Sequence, residues 1–319
     1  MAFSEELRKL AERVSNWGRW GDDDQAGTGN LLTPEAARRG AACVVDGAAF
    51  PLALPLLGEG KGVQVGQPAG RLNAVLTFTT MNERDPMAPG IWTGCDDQLT
   101  MSTSAGTHVD ALSHVAYDGL LYNGRSTDTI GAASGATWCG AEQLRPINTR
   151  AILLDVPRTL GIDFMEPGQA VTADVLDAAI ERAGVTPEPG DVVLVRTGDV
   201  RHYLSGDRRR YAVGKDWQLP GIGVSCVEWF ARHDLAGVFS DTYSHEVFPP
   251  ETGNWDDLLA VHLLCLRDLG MVQGQNWNLE ALADECAAHP DRPATAQLIA
   301  VPEPLVGATS TPVAPLAIR

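Results

Sequence analysis

Lysine is almost missing from this chain. Lys9, Lys61 and Lys215 are the whole complement, and arginine supplies the rest of 24 basic residues set against 41 acidic ones. The net charge of -17 argues against nucleic acid or an anionic membrane as partner, since both present negative charge that such a chain repels. Cysteine is sparse too: six residues, scattered, with no C-x-x-C pair. That is too few for a disulfide framework and wrong in spacing for a zinc knuckle, so they read as buried apolar thiols. No apolar run approaches the roughly 20 residues of a membrane span. The opening MAFSEELRKLAERVS has the pattern of a charged amphipathic helix rather than a signal peptide. A soluble, cytoplasmic protein is expected.

What is there is ordinary for an enzyme: 319 residues, 44% hydrophobic and 20% charged, enough for one large core. No internal repeat or low-complexity linker divides the chain. A helix over about 4–15 leads into a Gly/Asp-rich loop, and Thr33-Pro34-Glu35 starts a second helix with its cap and N1 proline in place. Strands are expected over 47–56, 73–80, 151–156, 191–198 and 235–242, with helices over 172–184, 225–234 and 255–270; residues 57–73 read as Gly/Pro-rich loop. Strands alternating with helices predict an α/β fold, a mixed sheet covered by helices. The reading is a single domain over 1–319 with an N-terminal arm at about 1–35, and a Pro-rich tail wrapping back as an extended segment.

The chemistry gathers in TMSTSAGTHVDALSHV, residues 100–115. Alternate side chains of an extended strand share a face, so His108 and Asp110 point the same way, with Ser104 and Gly106 behind them. Imidazole with carboxylate suits Zn²⁺, Mn²⁺ or Fe²⁺. His114 lies past a bend, available as a further ligand or as a general acid/base. Two ligands are too few, so the remainder of any shell has to come from distant sequence.

AGTHVDALSHV resembles the HxGTHxDxxxH signature of the cyclase/kynurenine formamidase-like family of metal-dependent hydrolases. WGRWGDDDQAGTGNLLTPE, VLVRTG, SDTYSHEVFPPE, DDLLAVHLLCLRDLGMVQGQNWNLEALA and TPVAPLAI resemble further segments of its longer members in the expected order, so the likeness covers most of the chain. The resemblance implies the family's swivelling β/β/α-like fold and a homo-oligomer, for which the arm is a means of subunit contact. It also implies metal ligands at His108 and Asp110, an acid/base at His114, and a helix histidine of a second metal position at His262. Two positions depart from the pattern: the first signature histidine falls on Ser104 and a later glutamate on Gln275. The metal set implied is therefore His108, Asp110, His262 and Gln275, holding Mn or Zn more weakly or not at all.

Other residues stand near these motifs. Asp241 and Glu246 follow a buried strand, where α/β proteins place functional loops; either is a replacement carboxylate, and His245 between them reads as a surface loop residue. Arg196, ending VLVR, is a candidate to orient a substrate carboxylate or carbonyl. Trp92 is a candidate wall for a ring-shaped substrate, and Tyr122 a donor to a developing oxyanion. Three functions stay open for a small-molecule substrate. One is a hydrolase of a cyclic or aromatic amide, lactone or imide using metal-activated water. Another is a metal-independent cyclase, dehydratase or isomerase working through a His/Asp relay. The third is a non-catalytic binding protein.

Overall fold

A computed structural model describes residues 3–66, 70–84, 86–87 and 90–319, so parts of the loop expected over 57–73 and of the N-terminal arm lie outside the described residues. Nine strands form one mixed sheet, in the order Ala49–Pro51, Leu316–Ile318, Thr295–Ala300, Ile147–Asp155, Val192–Arg196, Gly237–Ser240, Val272–Gln275, His108–Asp110 and Ser310–Pro312. Four neighbouring strands, from Ile147–Asp155 to Val272–Gln275, run parallel. The flanks are antiparallel.

The period-2 rule of a strand divides the core into two layers. Ile152, Leu154, Val193, Val195 and Val238 face one side, against Trp229, Phe230 and Leu264. Leu153, Leu194, Phe239 and Val109 face the other, against Trp277 and Leu298. Continuous apolar runs such as Val192–Arg196 result, because a parallel strand is buried on both faces. Helices Ala173–Ala183 and Ser225–Arg232 cover the first side. The former ends where Gly184 turns left-handed at φ 66°, a conformation that favours glycine, while Thr172 makes no side-chain cap.

Three expectations change. The N-terminal helix, expected over about 4–15 as part of an arm, is Glu5–Val14 and packs Leu7, Leu10 and Val14 into the chain's own core. The helix expected over 255–270 is broken into a turn at Trp255–Asp257, a short helix Ala260–His262 and a π-helix Leu263–Leu269; wide turns of this kind are frequent beside functional sites. The strand over 73–80 is longer, Val75–Arg84, and among the described residues pairs only with Thr93–Thr100 as a separate antiparallel ribbon. No helix among the described residues is long and apolar enough to cross a membrane.

Candidate active site

Strand register assembles the centre of the site. Gln273 stands opposite Asp110 and Gln275 opposite His108, so four polar side chains share one face of the sheet while Val109 and Gly274 turn to the other. Both glutamine amides donate to Asp110 Oδ2, at 3.3 Å from Gln273 and 3.2 Å from Gln275. A turn closed by the His114 N–H on the Ala111 carbonyl, 2.9 Å, brings His114 back over the carboxylate. Asp110 Oδ1 then faces His108 Nε2 at 3.5 Å and His114 Nε2 at 3.8 Å, and it is buried without a hydrogen-bond partner.

The tautomer of His108 makes that arrangement informative. His108 Nδ1 lies 2.8 Å from the Gly106 carbonyl, which only accepts, so Nδ1 carries the hydrogen and Nε2 presents a bare lone pair. A lone pair and a carboxylate oxygen facing each other across 3.5 Å repel unless a positive species lies between them.

Glu246 builds the opposite side. Its carboxylate accepts the backbone N–H groups of Val261 and His262, both at 3.1 Å, capping the short helix, and also accepts from His262 Nδ1. Burial disfavours charge on His262, yet the bond and charge of Glu246 outweigh it and raise its pKa. Gln275 Nε2 lies 2.9 Å from His262 Nε2. Burial lowers the pKa values of His108 and His114, with Asp110 acting the other way. Asp110 stays ionised at a pKa of about 2: burial opposes the charge, and His114, His108, His262 and the Gln273 amide overcome it.

His245, expected as a surface loop residue, lies inside the protein. It is fully buried, bonded through Nδ1 to Ser240 Oγ at 3.0 Å, its ring 5.7 Å from that of His262, and its Nε2 has no partner. Burial and the neighbouring His262 lower its pKa from 6.5 to about 3. A depressed histidine contributes stability that is complete above the unfolded value of 6.5 and lost as pH falls towards 3. Between pH 7 and pH 5 the protein should lose about 2 kcal/mol through this group, and His245→Gln should flatten the decline by that amount. Urea midpoints at both pH values check it, and equal slopes in the two proteins would refute it.

A pocket of about 310 Å³ opens above these groups, with His114, His262 and Gln275 at its floor, Trp217, Leu219, Tyr243, Phe248 and Leu259 in its walls, and Arg71 at its side. Several expected residues are elsewhere. Tyr122 is buried and donates to Asp24 at 2.9 Å, so its hydroxyl is spent away from the pocket. Arg196 is clamped by Glu280, at 2.8 and 2.9 Å, and Asp155, at 2.8 Å, which leaves it no fork for a substrate. Trp92 is 53% exposed beside the antiparallel ribbon. Asp241 is spent on Thr197 and the Gly198 N–H, at 2.7–2.8 Å. Ser104 is buried behind the floor, its carbonyl accepting from Gln64 at 3.3 Å, and Glu246 orients His262 rather than lining the pocket.

The residues expected to hold a metal stand apart from one another in their bonding. Among the described residues no three His, Cys, Asp or Glu side chains stand grouped to hold an ion by themselves. His262 and Gln275 are bonded to each other, and an amide nitrogen that donates to Asp110 is not a ligand atom. The two atoms that do fit a divalent cation are His108 Nε2 and Asp110 Oδ1, bare and facing each other; water or substrate would complete the shell. Gln273, Arg71 and Tyr243 escaped sequence reading. The alternation in Val272-Gln273-Gly274-Gln275 points to the first, Tyr243 lies within SDTYSHEVFPPE with nothing to single it out from its neighbours, and no motif marks Arg71.

Fold and floor together define a pocket enzyme in which buried histidines and one carboxylate meet at the end of a mixed sheet. The cyclase family model matches residues 51–247, and the chain belongs to that family. A solved structure described as a novel cyclase is 31% identical over 97% of this chain and 99% of its own, with a TM-score of 0.84. Isatin hydrolase A from Labrenzia aggregata, bound to benzyl benzoate, shares the fold at 18% identity, covering 87% of this chain and 94% of that one, with a TM-score of 0.62. Isatin hydrolase A from Ralstonia solanacearum does so at 19% identity, 85% and 92% coverage and a TM-score of 0.59. No curated protein matches the chain.

Proposed function

We propose that this enzyme is a hydrolase that opens a small cyclic amide, lactone or imide. The observation that carries the reading is the bare His108 Nε2 facing the bare Asp110 Oδ1, beneath a pocket whose size and aromatic walls suit a one- or two-ring molecule. His108 and Asp110 would hold a Mn or Zn ion, which when bound acidifies water and polarises a carbonyl. His114, kept neutral by burial, takes the proton of the attacking water on Nε2 and returns it to the departing ring nitrogen or oxygen. Glu246 fixes the His262 ring through Nδ1 and through the two backbone N–H groups beside it. Trp217 and Phe248 exclude water from one side of the ring. Isatin, the aromatic cyclic amide named for two relatives of the same fold, fits this description and is the first compound to try.

A second reading is a metal-free relay in which Asp110 orients His108 and His114 for ring closure, dehydration or isomerisation. It is favoured by the two amides on Asp110 Oδ2, which stabilise the carboxylate without a cation. Metal content by mass spectrometry on protein purified without tag or chelator, followed by assays on isatin, lactams, lactones and imides with and without EDTA, separates the two. The hydrolase reading expects about one equivalent of Mn or Zn and ring opening that chelation stops and the metal restores. Chelator-indifferent turnover would transfer the chemistry to the relay, and inertness to every ring would remove the hydrolase.

A further inference from the structure

Among the described residues Arg71 is the one permanent cation lining the pocket, and no Asp or Glu lines it beside Arg71. Among the described residues it pairs with no carboxylate, whereas Arg8, Arg13, Arg19, Arg150 and Arg196 all do. It is half-buried and lines the pocket together with Tyr243, whose hydroxyl donates to Gln64 at 2.7 Å. Its charge opposes protonation of His108, His114 and His262, though at His262 Glu246 outweighs it, so it lies within electrostatic reach of the floor. A chain of net charge -17 repels small anions over most of its surface. A partly desolvated arginine in an acid-free, apolar-walled pocket is the exception that needs explaining.

We propose that Arg71 sets the charge of the substrate, and that the pocket takes a small ring bearing a carboxylate, which the guanidinium binds while the ring lies against Trp217, Leu219 and Phe248. The proposal rests on the pocket being the active site. A planar guanidinium matches a carboxylate through two parallel N–H···O bonds, and Arg71 and His114 line the same pocket, so a ring held by its carboxylate shares that space with the histidines. The anion would fix which bond of the ring meets His114.

Benzoate and its uncharged counterpart benzamide are suitable probes by isothermal titration of the enzyme as purified, against wild type, Arg71→Gln and Arg71→Lys, with thermal melts to establish that each variant is folded. Benzoate should bind wild type more tightly than benzamide and lose about ten- to a hundredfold in Arg71→Gln, with part restored in Arg71→Lys. Benzamide should distinguish the three proteins by less than threefold. Equal binding of the two probes, or benzoate binding untouched in Arg71→Gln, would overturn the proposal.

Turnover separates this failure from failure of the hydrolase reading. The ratio of kcat/KM for carboxylated over uncharged rings should fall in Arg71→Gln through KM. An equal loss for both kinds of ring places Arg71 on the reacting carbonyl, which sinks the proposal and keeps the hydrolase. Arg71-dependent benzoate binding in a protein that opens no ring keeps the anion site and sinks the hydrolase.

Discussion

Asp110→Asn should lower kcat/KM for ring opening about a thousandfold while leaving the protein folded. The replacement has the same shape. Its amide oxygen can still accept from Gln273 and Gln275, which donate to Oδ2 in the native protein. The new amide nitrogen would point where Oδ1 now faces His108 Nε2 at 3.5 Å, donating to the lone pair that at present faces a carboxylate. Every local hydrogen bond is therefore met or improved, and a buried charge is removed, so the melting temperature should hold or rise. Activity has no such substitute. The negative charge either holds a cation with His108 or stabilises the imidazolium formed when His114 takes a proton, and an amide does neither. Steady-state kinetics together with a melt check the prediction; activity within tenfold of wild type would remove Asp110 from the chemistry. Metal content then divides the two functional readings, since only a metal-holding Asp110 makes the variant lose its ion as well.

The signature segment was legible because its spacing has one structural meaning. His-x-Asp on a strand puts both side chains on one face, and that is where His108 and Asp110 lie. Apolar runs such as DVVLVR were legible for the same kind of reason, since a strand buried on both sides needs no alternation. What the sequence could not show was where side chains end when several partners compete for them. Arg196 follows a strand just as a substrate-binding arginine would, but Asp155 and Glu280 reach it first. Tyr122 is close to the cluster in sequence, yet Asp24 captures its hydroxyl. His245 looked solvated among Ser, Asp and Glu, although the bridge between Ile222 and Glu246 draws that loop under the sheet. Arg71 sits in a Gly/Pro-rich loop with no periodicity to read, and only tertiary packing turns it towards the pocket.

Gly274→Ala should destabilise the protein by about 3 kcal/mol or more, although glycine at this position is not required by its backbone, which does not adopt a left-handed φ. Space is the constraint. An added Cβ would stand 2.6 Å from Phe239 Cδ1, 2.7 Å from the His108 carbonyl oxygen and 2.8 Å from Trp277 Nε1. None of the three can yield cheaply. Phe239 and Trp277 are stacked with centroids 4.2 Å apart and both are fully buried, while the His108 carbonyl belongs to the strand paired with Gly274 and accepts from Trp277 Nε1 at 3.3 Å. Close-packed interiors transmit such a strain, and here it runs into the His108 backbone and so to the imidazole on the other face. Loss of stability should therefore be joined by loss of activity under conditions where the variant is still folded. Gly58→Ala is the matched control: its added Cβ meets only the Ala74 carbonyl, at 3.4 Å, and should change stability by no more than about 0.5 kcal/mol. Urea midpoints of the two variants measure the difference. A Gly274→Ala protein as stable as Gly58→Ala would mean that Phe239 and Trp277 can part, and that the floor of the pocket is not braced from behind by the aromatic stack.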